Sequence, residues 1–129
     1  MTEAQLTIAV LALLFVKHWF ADFVVQFNYM VEQKGTYGAE GGIHHSLIHC
    51  VLTWIVMYAL FQNTALAVFA ALFDGVVHYH IDWLKMNINR WRNLSIKDNE
   101  FWMWLGADQL AHSLTYLAIT LWAVSHLTS

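Results

Sequence analysis

Proline is absent from this 129-residue chain, and glycine occurs only six times. Nothing in the composition therefore has to break or kink a long helix. No Gly/Pro/Ser-rich stretch divides the chain, whose length suits one compact domain. The single cysteine, Cys50, excludes an intramolecular disulfide. It lies in an apolar segment and reads as a buried, inert thiol. Charge is scarce as well, at 12% of residues against about 25% in soluble domains. Six basic residues against nine acidic ones leave a net charge of -3. That excludes the basic patch on which nucleic-acid binding depends. The opening "MTEAQLTIAV" has neither a basic n-region nor a small-residue cleavage site. Its apolar segment is expected to be retained as an anchor and not removed as a signal peptide.

What the sequence does have is apolar length: 59% of residues are hydrophobic and 16% aromatic. Four apolar segments, at about residues 4–27, 43–61, 64–86 and 101–127, each approach the ~20 residues needed to cross a bilayer core. Runs such as "LTIAVLALLFV" and "TALAVFAALF" leave no polar face for water. The expected fold class is all-α, an integral membrane four-helix bundle forming a single transmembrane domain over residues 1–129. Only "QN" separates the second and third segments, a tight helical hairpin. The stretch "NINRWRNLSIKDNE" joins the third and fourth and could lie along the interface. Lys34, Lys85, Arg90, Arg92 and Lys97 all fall in or beside the first and third loops. The positive-inside rule then puts those loops in the cytoplasm and both termini outside it. Lys17 lies within the first span, where it would snorkel or pair with a carboxylate.

Each span carries ionisable residues toward its cytoplasmic end. The first places His18, Asp22 and Gln26 on one helical stripe, and the second has His45 and His49 one turn apart. The third ends with Asp74, His78 and Asp82 at spacings of four, and the fourth begins with Asp108 and His112. Because the spans alternate in direction, all of these fall at roughly one depth. Ionisable groups are costly in lipid and normally face a bundle interior. A lone His–Asp pair could simply fix packing by a hydrogen bond between helices, but four at one level point to a shared intramembrane site. Imidazole with carboxylate is the ligand set of zinc first, with manganese or iron next. The candidate ligands are His18, Asp22, His45, His49, Asp74, His78, Asp82, Asp108 and His112, more than one tetrahedral zinc needs. Either there are two ions, or some of these groups orient the ligating imidazoles. His44 and His80 fall on other faces, and His126 near the opposite membrane surface. Tyr116, one turn beyond His112, could lend a hydroxyl, whereas Ser46 reads as helix packing. The tryptophans read as interface belts and packing.

The segments "HWFADFVVQ" (His18 to Gln26), "HSLIH" (His45 to His49), "HYHIDWLK" (His78 to Lys85) and "DQLAH" (Asp108 to His112), together with Lys34, carry a resemblance. On them the chain resembles an uncharacterised family of small polytopic membrane proteins of bacteria and their phages, a domain of unknown function. Asp74 is not part of that pattern. The resemblance implies the bacterial inner membrane as the location and no assigned activity. A looser likeness is to inner-membrane metal-dependent hydrolases whose His and Asp residues also sit in spans.

The leading expectation is a metal-dependent hydrolase acting on a lipid or lipid-linked substrate at the cytoplasmic leaflet. A metal would lower the pKa of a bound water toward ~7 and polarise a phosphoryl or carbonyl oxygen. Asp82 or Asp108 would act as general base. Lys85, Arg90 and Arg92 would hold an anionic headgroup, if they do more than set topology and attract anionic lipid. Three alternatives stay open: a proton or metal-ion transporter, a non-catalytic adaptor binding a host partner through residues 87–100, and a haem-binding bundle. The outer half of every span looks apolar, which disfavours transport, and haem does not account for the aspartates.

Overall fold

The computed structural model describes residues 1–127 and is all-helical. Helix α1 spans Glu3–Trp19 and continues into a π-helical turn, Phe20–Val24. Helix α2 is short, Asn28–Gln33, and α3 covers Glu40–Phe61, α4 Thr64–Trp91 and α5 Asn99–Ser125. The four long helices pack in a ring, α1 on α3, α3 on α4, α4 on α5 and α5 back on α1.

Local signals set the ends. Thr2 and Gln5 form a reciprocal capping box at the start of α1. Gln62, at φ 51, takes the left-handed conformation that stops α3. The next residue, Asn63, accepts the Leu66 N–H and starts α4. The "QN" hairpin is thus a left-handed stop followed directly by an N-cap.

Two boundaries differ from expectation. Helix α4 runs on to Trp91 because "NINR" continues the helical turns, leaving 92–98 as the connecting loop. Within the first loop, α2 folds onto α3. Gly41 makes this fit: a Cβ there would meet the Tyr29 carbonyl oxygen at 2.6 Å, and its N–H donates to Gln33 Oε1 at 2.7 Å.

Three helical segments are long and apolar enough to cross a membrane: Glu3–Val24, Glu40–Phe61 and Thr64–Trp91. Helix α5 is of similar length, but Asp108, Gln109, His112, Ser113, Thr115 and Thr120 dilute its apolar character. The interior has two layers. Toward the hairpin end, Leu6, Val10, Leu14, Val56, Met57, Leu66, Ala67, Ala70, Ile119 and Ala123 form an apolar core roofed by Tyr116. Toward the other end, the buried side chains are chiefly His, Asp and Lys, with Ser46, Asn87, Ala21 and Met30 among them.

Candidate metal centre

The polar layer is built by the helical repeat. His18 and Asp22 from α1 and its π-turn, His45 and His49 from α3, His78 and Asp82 from α4, and Asp108 and His112 from α5 all point inward and are buried. The π-turn holds Asp22 in place. Val25 N–H reaches back five residues to the Phe20 carbonyl, and the Gln26 side-chain amide donates to the Asp22 carbonyl at 2.6 Å. Such turns recur at functional sites because they re-aim a side chain without ending the helix.

The donor atoms converge closely. Nε2 of His45 lies 3.2 Å from Asp22 Oδ1, 3.3 Å from Asp82 Oδ2 and 3.2 Å from His78 Nε2. Nε2 of His78 lies 3.7 Å from Asp22 Oδ1 and 3.4 Å from Asp82 Oδ2. On the other side of Asp82, His112 Nε2 is 3.2 Å from Oδ1 and 3.3 Å from Asp108 Oδ1. His18 Nε2 sits 3.2 Å from Asp22 Oδ2, while its Nδ1 meets the Tyr116 hydroxyl at 2.8 Å. Three groups have ligand atoms within 4.8 Å of one another: Asp22–His45–His49–His78, His18–His78–His112 and Asp82–Asp108–His112. Each could hold a metal ion.

His49 differs from the other imidazoles. Lys17 Nζ lies 3.1 Å from its Nδ1, and an ammonium can only donate. The ring proton is then on Nε2, which donates to Asp22 Oδ1 at 2.9 Å. In this state His49 orients Asp22 and has no free lone pair for a metal.

The eight other sequence candidates divide. His18, Asp22, His45, His78, Asp82, Asp108 and His112 are brought together. Asp74 is not: it lies one layer deeper, paired with Lys17 and accepting from the Thr53 hydroxyl. Lys17 therefore does not snorkel. Of the three expected headgroup residues, Lys85 reaches the centre, 3.7 Å from Asp108 Oδ2. Arg92 instead forms two hydrogen bonds to Glu100 across the α4–α5 loop, and Arg90 is exposed. His44 and His80 face outward against Tyr29 and Tyr37, and His126 bonds the Trp122 carbonyl.

A family model described as a protein of unknown function, DUF3307, matches residues 10–129. The chain belongs to the DUF3307 family. No curated protein and no solved structure matches it. In this DUF3307 protein the match spans every residue of the polar layer, from His18 to Tyr116.

Two partners of the centre were not read from the sequence as such. Lys34, which the positive-inside count assigns to topology, folds inward from the end of α2 and is 6% exposed. Its ammonium donates to Gln26 Oε1 at 2.9 Å and to Asp82 Oδ2 at 3.1 Å. Gln109 Oε1 accepts from His18 Nε2 at 3.1 Å, and the Gln109 side-chain N–H donates to Asp108 Oδ2 at 3.1 Å. Gln109 is adjacent to Asp108 on α5, so the one-turn spacing used to find the others passes over it.

A groove of ≈ 130 Å³ between α4 and α5 opens beside this layer. Ile81, Leu84, Ile88, Trp104, Ala107 and Ala111 line it, with Lys85 and Asp108 at its polar end.

Proposed function

We propose that this protein is an integral membrane four-helix bundle, a single domain with both termini outside the cytoplasm. In this reading it is a metal-dependent hydrolase of a lipid or lipid-linked substrate. The observation that carries the metal reading is the spacing of Asp22 Oδ1, His45 Nε2, His78 Nε2 and Asp82 Oδ2. Five of the six distances among these atoms run from 3.2 to 3.7 Å. A tetrahedral site with bonds of about 2.0 to 2.1 Å has edges of roughly 3.3 to 3.4 Å. Zinc suits this donor set, with manganese or iron next.

Several features support the membrane and substrate parts. The outward face of α5 presents Leu110, Leu114, Leu117 and Leu121, all exposed. At helical spacing this makes a lipid-facing ridge, so α5 serves as the fourth span despite its polar inner face. The α4–α5 groove opens sideways, as a chain arriving from the bilayer requires. Its apolar walls fit the chain, and Lys85 fits an anionic head. A bound metal would supply Lewis acidity and an activated water. Asp108 faces the groove, whereas Asp82 is enclosed by His45, His78, His112 and Lys34. Asp108 is therefore the better-placed general base. Among the described residues, no Asp, Glu, His, Lys or Arg is buried on the hairpin side of Lys17 and Asp74. That argues against a proton or ion path through the bundle.

The test is metal analysis and lipid turnover on protein purified in detergent, wild type beside His78→Ala. Stoichiometric metal and phosphate release from polyprenyl or diacylglycerol phosphates are expected, both lost in the variant. Metal-free wild type after reloading, or unchanged turnover in His78→Ala, would overturn the proposal.

A further inference from the structure

We infer that the centre holds two divalent cations, with Asp82 as the bridge between them. The inference rests on the metal reading above and extends it.

The two oxygens of Asp82 face different donor sets. Oδ2 closes the group of Asp22, His45 and His78, with contacts of 3.3 and 3.4 Å to the two imidazoles. Oδ1 turns away toward His112 at 3.2 Å, and His112 faces Asp108 Oδ1 at 3.3 Å. Asp82, Asp108 and His112 form a compact donor group, and Asp82 joins it to His45 and His78 through its other oxygen; His18, His78 and His112 also lie close enough to share an ion. Asp108 Oδ1 carries the second observation. It is buried and accepts no hydrogen bond, although its partner oxygen accepts from Gln109. With His112 Nε2 beside it at 3.3 Å but no hydrogen bond made, a buried anionic oxygen is costly unless a cation meets it. A second ion between Asp82 Oδ1, Asp108 Oδ1 and His112 Nε2 would do so.

Donor number points the same way. Five imidazoles and three carboxylates meet here, and setting aside His49, which Lys17 holds as a donor, and His18, whose Nε2 donates to Gln109 Oε1, leaves six. One tetrahedral ion uses four. The ring of His78 stands between those of His49 and His112, with centroids at 3.5 and 4.1 Å, so the two donor sets are packed as one unit.

The charge balance names the substrate class. Asp22, Asp82 and Asp108 against Lys34 and Lys85 leave one net negative charge when the imidazoles are neutral. One divalent ion brings the centre to a single positive charge, and two bring it to three. In a membrane interior that excess suits a multiply charged phosphate ester more than a neutral carboxylic ester. Two-metal sites with ions about 3.5–4 Å apart clamp phosphoryl oxygens in this way. Oδ2 of Asp108 still faces Lys85 and the groove, where a phosphate would arrive.

The experiment is manganese titration of the detergent-purified full chain. It reads ions per chain by mass spectrometry and spin coupling by electron paramagnetic resonance. Wild type is expected to bind two ions whose spectrum shows exchange coupling. Asp108→Asn should bind one, with the spectrum of an isolated ion. His112→Gln serves as the second variant should Asp108→Asn fail to elute as folded protein. One ion in wild type would overturn this inference and leave the single-metal reading standing. Two uncoupled ions would remove the bridge and overturn it as well. No bound ion would overturn both.

Discussion

Lys17 and Asp74 are 5% and 1% exposed, one layer below the His/Asp cluster and in the middle of the chain's apolar length. Replacing one of a buried pair leaves the other charge uncompensated, at a cost of about 3–5 kcal/mol. Asp74→Leu should cost that much, since it also strips the Thr53 hydroxyl of its acceptor. Lys17→Met should cost a similar amount. Replacing both with apolar side chains of similar volume removes the desolvation of two ions, and is neutral to stabilising by roughly 1–4 kcal/mol in comparable cases. The double-mutant cycle should therefore close with several kcal/mol of coupling, above the roughly 0.5–3 kcal/mol of ordinary neighbours. Reversible unfolding in mixed micelles, followed by the fluorescence of the seven tryptophans, measures it. Additive single costs would refute the reasoning. A second readout separates this pair from a purely structural one. Without Lys17, nothing fixes the His49 proton on Nε2, and Asp22 loses one of the donors that orient it. The double variant should fold but bind metal roughly 10–100-fold more weakly, the usual effect of losing an outer-shell partner.

Two further outcomes are expected. A Cβ on Gly75 would overlap Cys50 Sγ, so Gly75→Ala should cost about 1–3 kcal/mol by overpacking. Cys50→Ala in the same chain should recover most of that loss in the same unfolding assay. Arg92→Ala, which opens a solvent-facing surface pair with Glu100, should leave the unfolding midpoint nearly unchanged and lipid turnover unchanged. Two hydrogen bonds from Arg92, with one from Trp104, hold the Glu100 carboxyl below its ordinary range. Any stabilisation from this pair is therefore present above the ordinary glutamate pKa and fades as the pH falls through the lowered value. A pH series on the variant checks the sign.

Much of the polar layer was legible because two regularities coincide. Spacing of four puts His18 and Asp22, His45 and His49, His78 and Asp82, and Asp108 and His112 on one face of each helix. The alternation of spans then brings those faces to one level. Both arguments need only the helical repeat and the order of segments. The same arguments misassigned Asp74: it shares the stripe of His78 and Asp82, but one turn is enough to change layers. Its partner Lys17 precedes His18 by one residue, so a periodicity argument puts it on a different face. Only the ring of helices, which sets α1 diagonally across from α4, shows that its long side chain crosses the interior to Asp74.

Lys34 shows the harder limit. Its role depends on α2 folding back over the centre, and that depends on Gly41 admitting the Tyr29 carbonyl. No apolar period marks a six-residue helix inside a loop. Yet Lys34 decides how much charge the site can hold. Three buried carboxylates call for cations, and Lys34 and Lys85 provide only two, each against a different aspartate. Asp22 has no lysine or arginine partner among the described ion pairs; its contacts are all to histidine. Either a ring near Asp22 carries a proton, or a metal sits among them. His45 and His78 face each other through the same nitrogen at 3.2 Å, so the two cannot both carry an N–H on that line. One N–H there would point at the other ring's lone pair, whereas a cation would be met by both lone pairs and by the Asp22 carboxylate, and metal titration separates the two states.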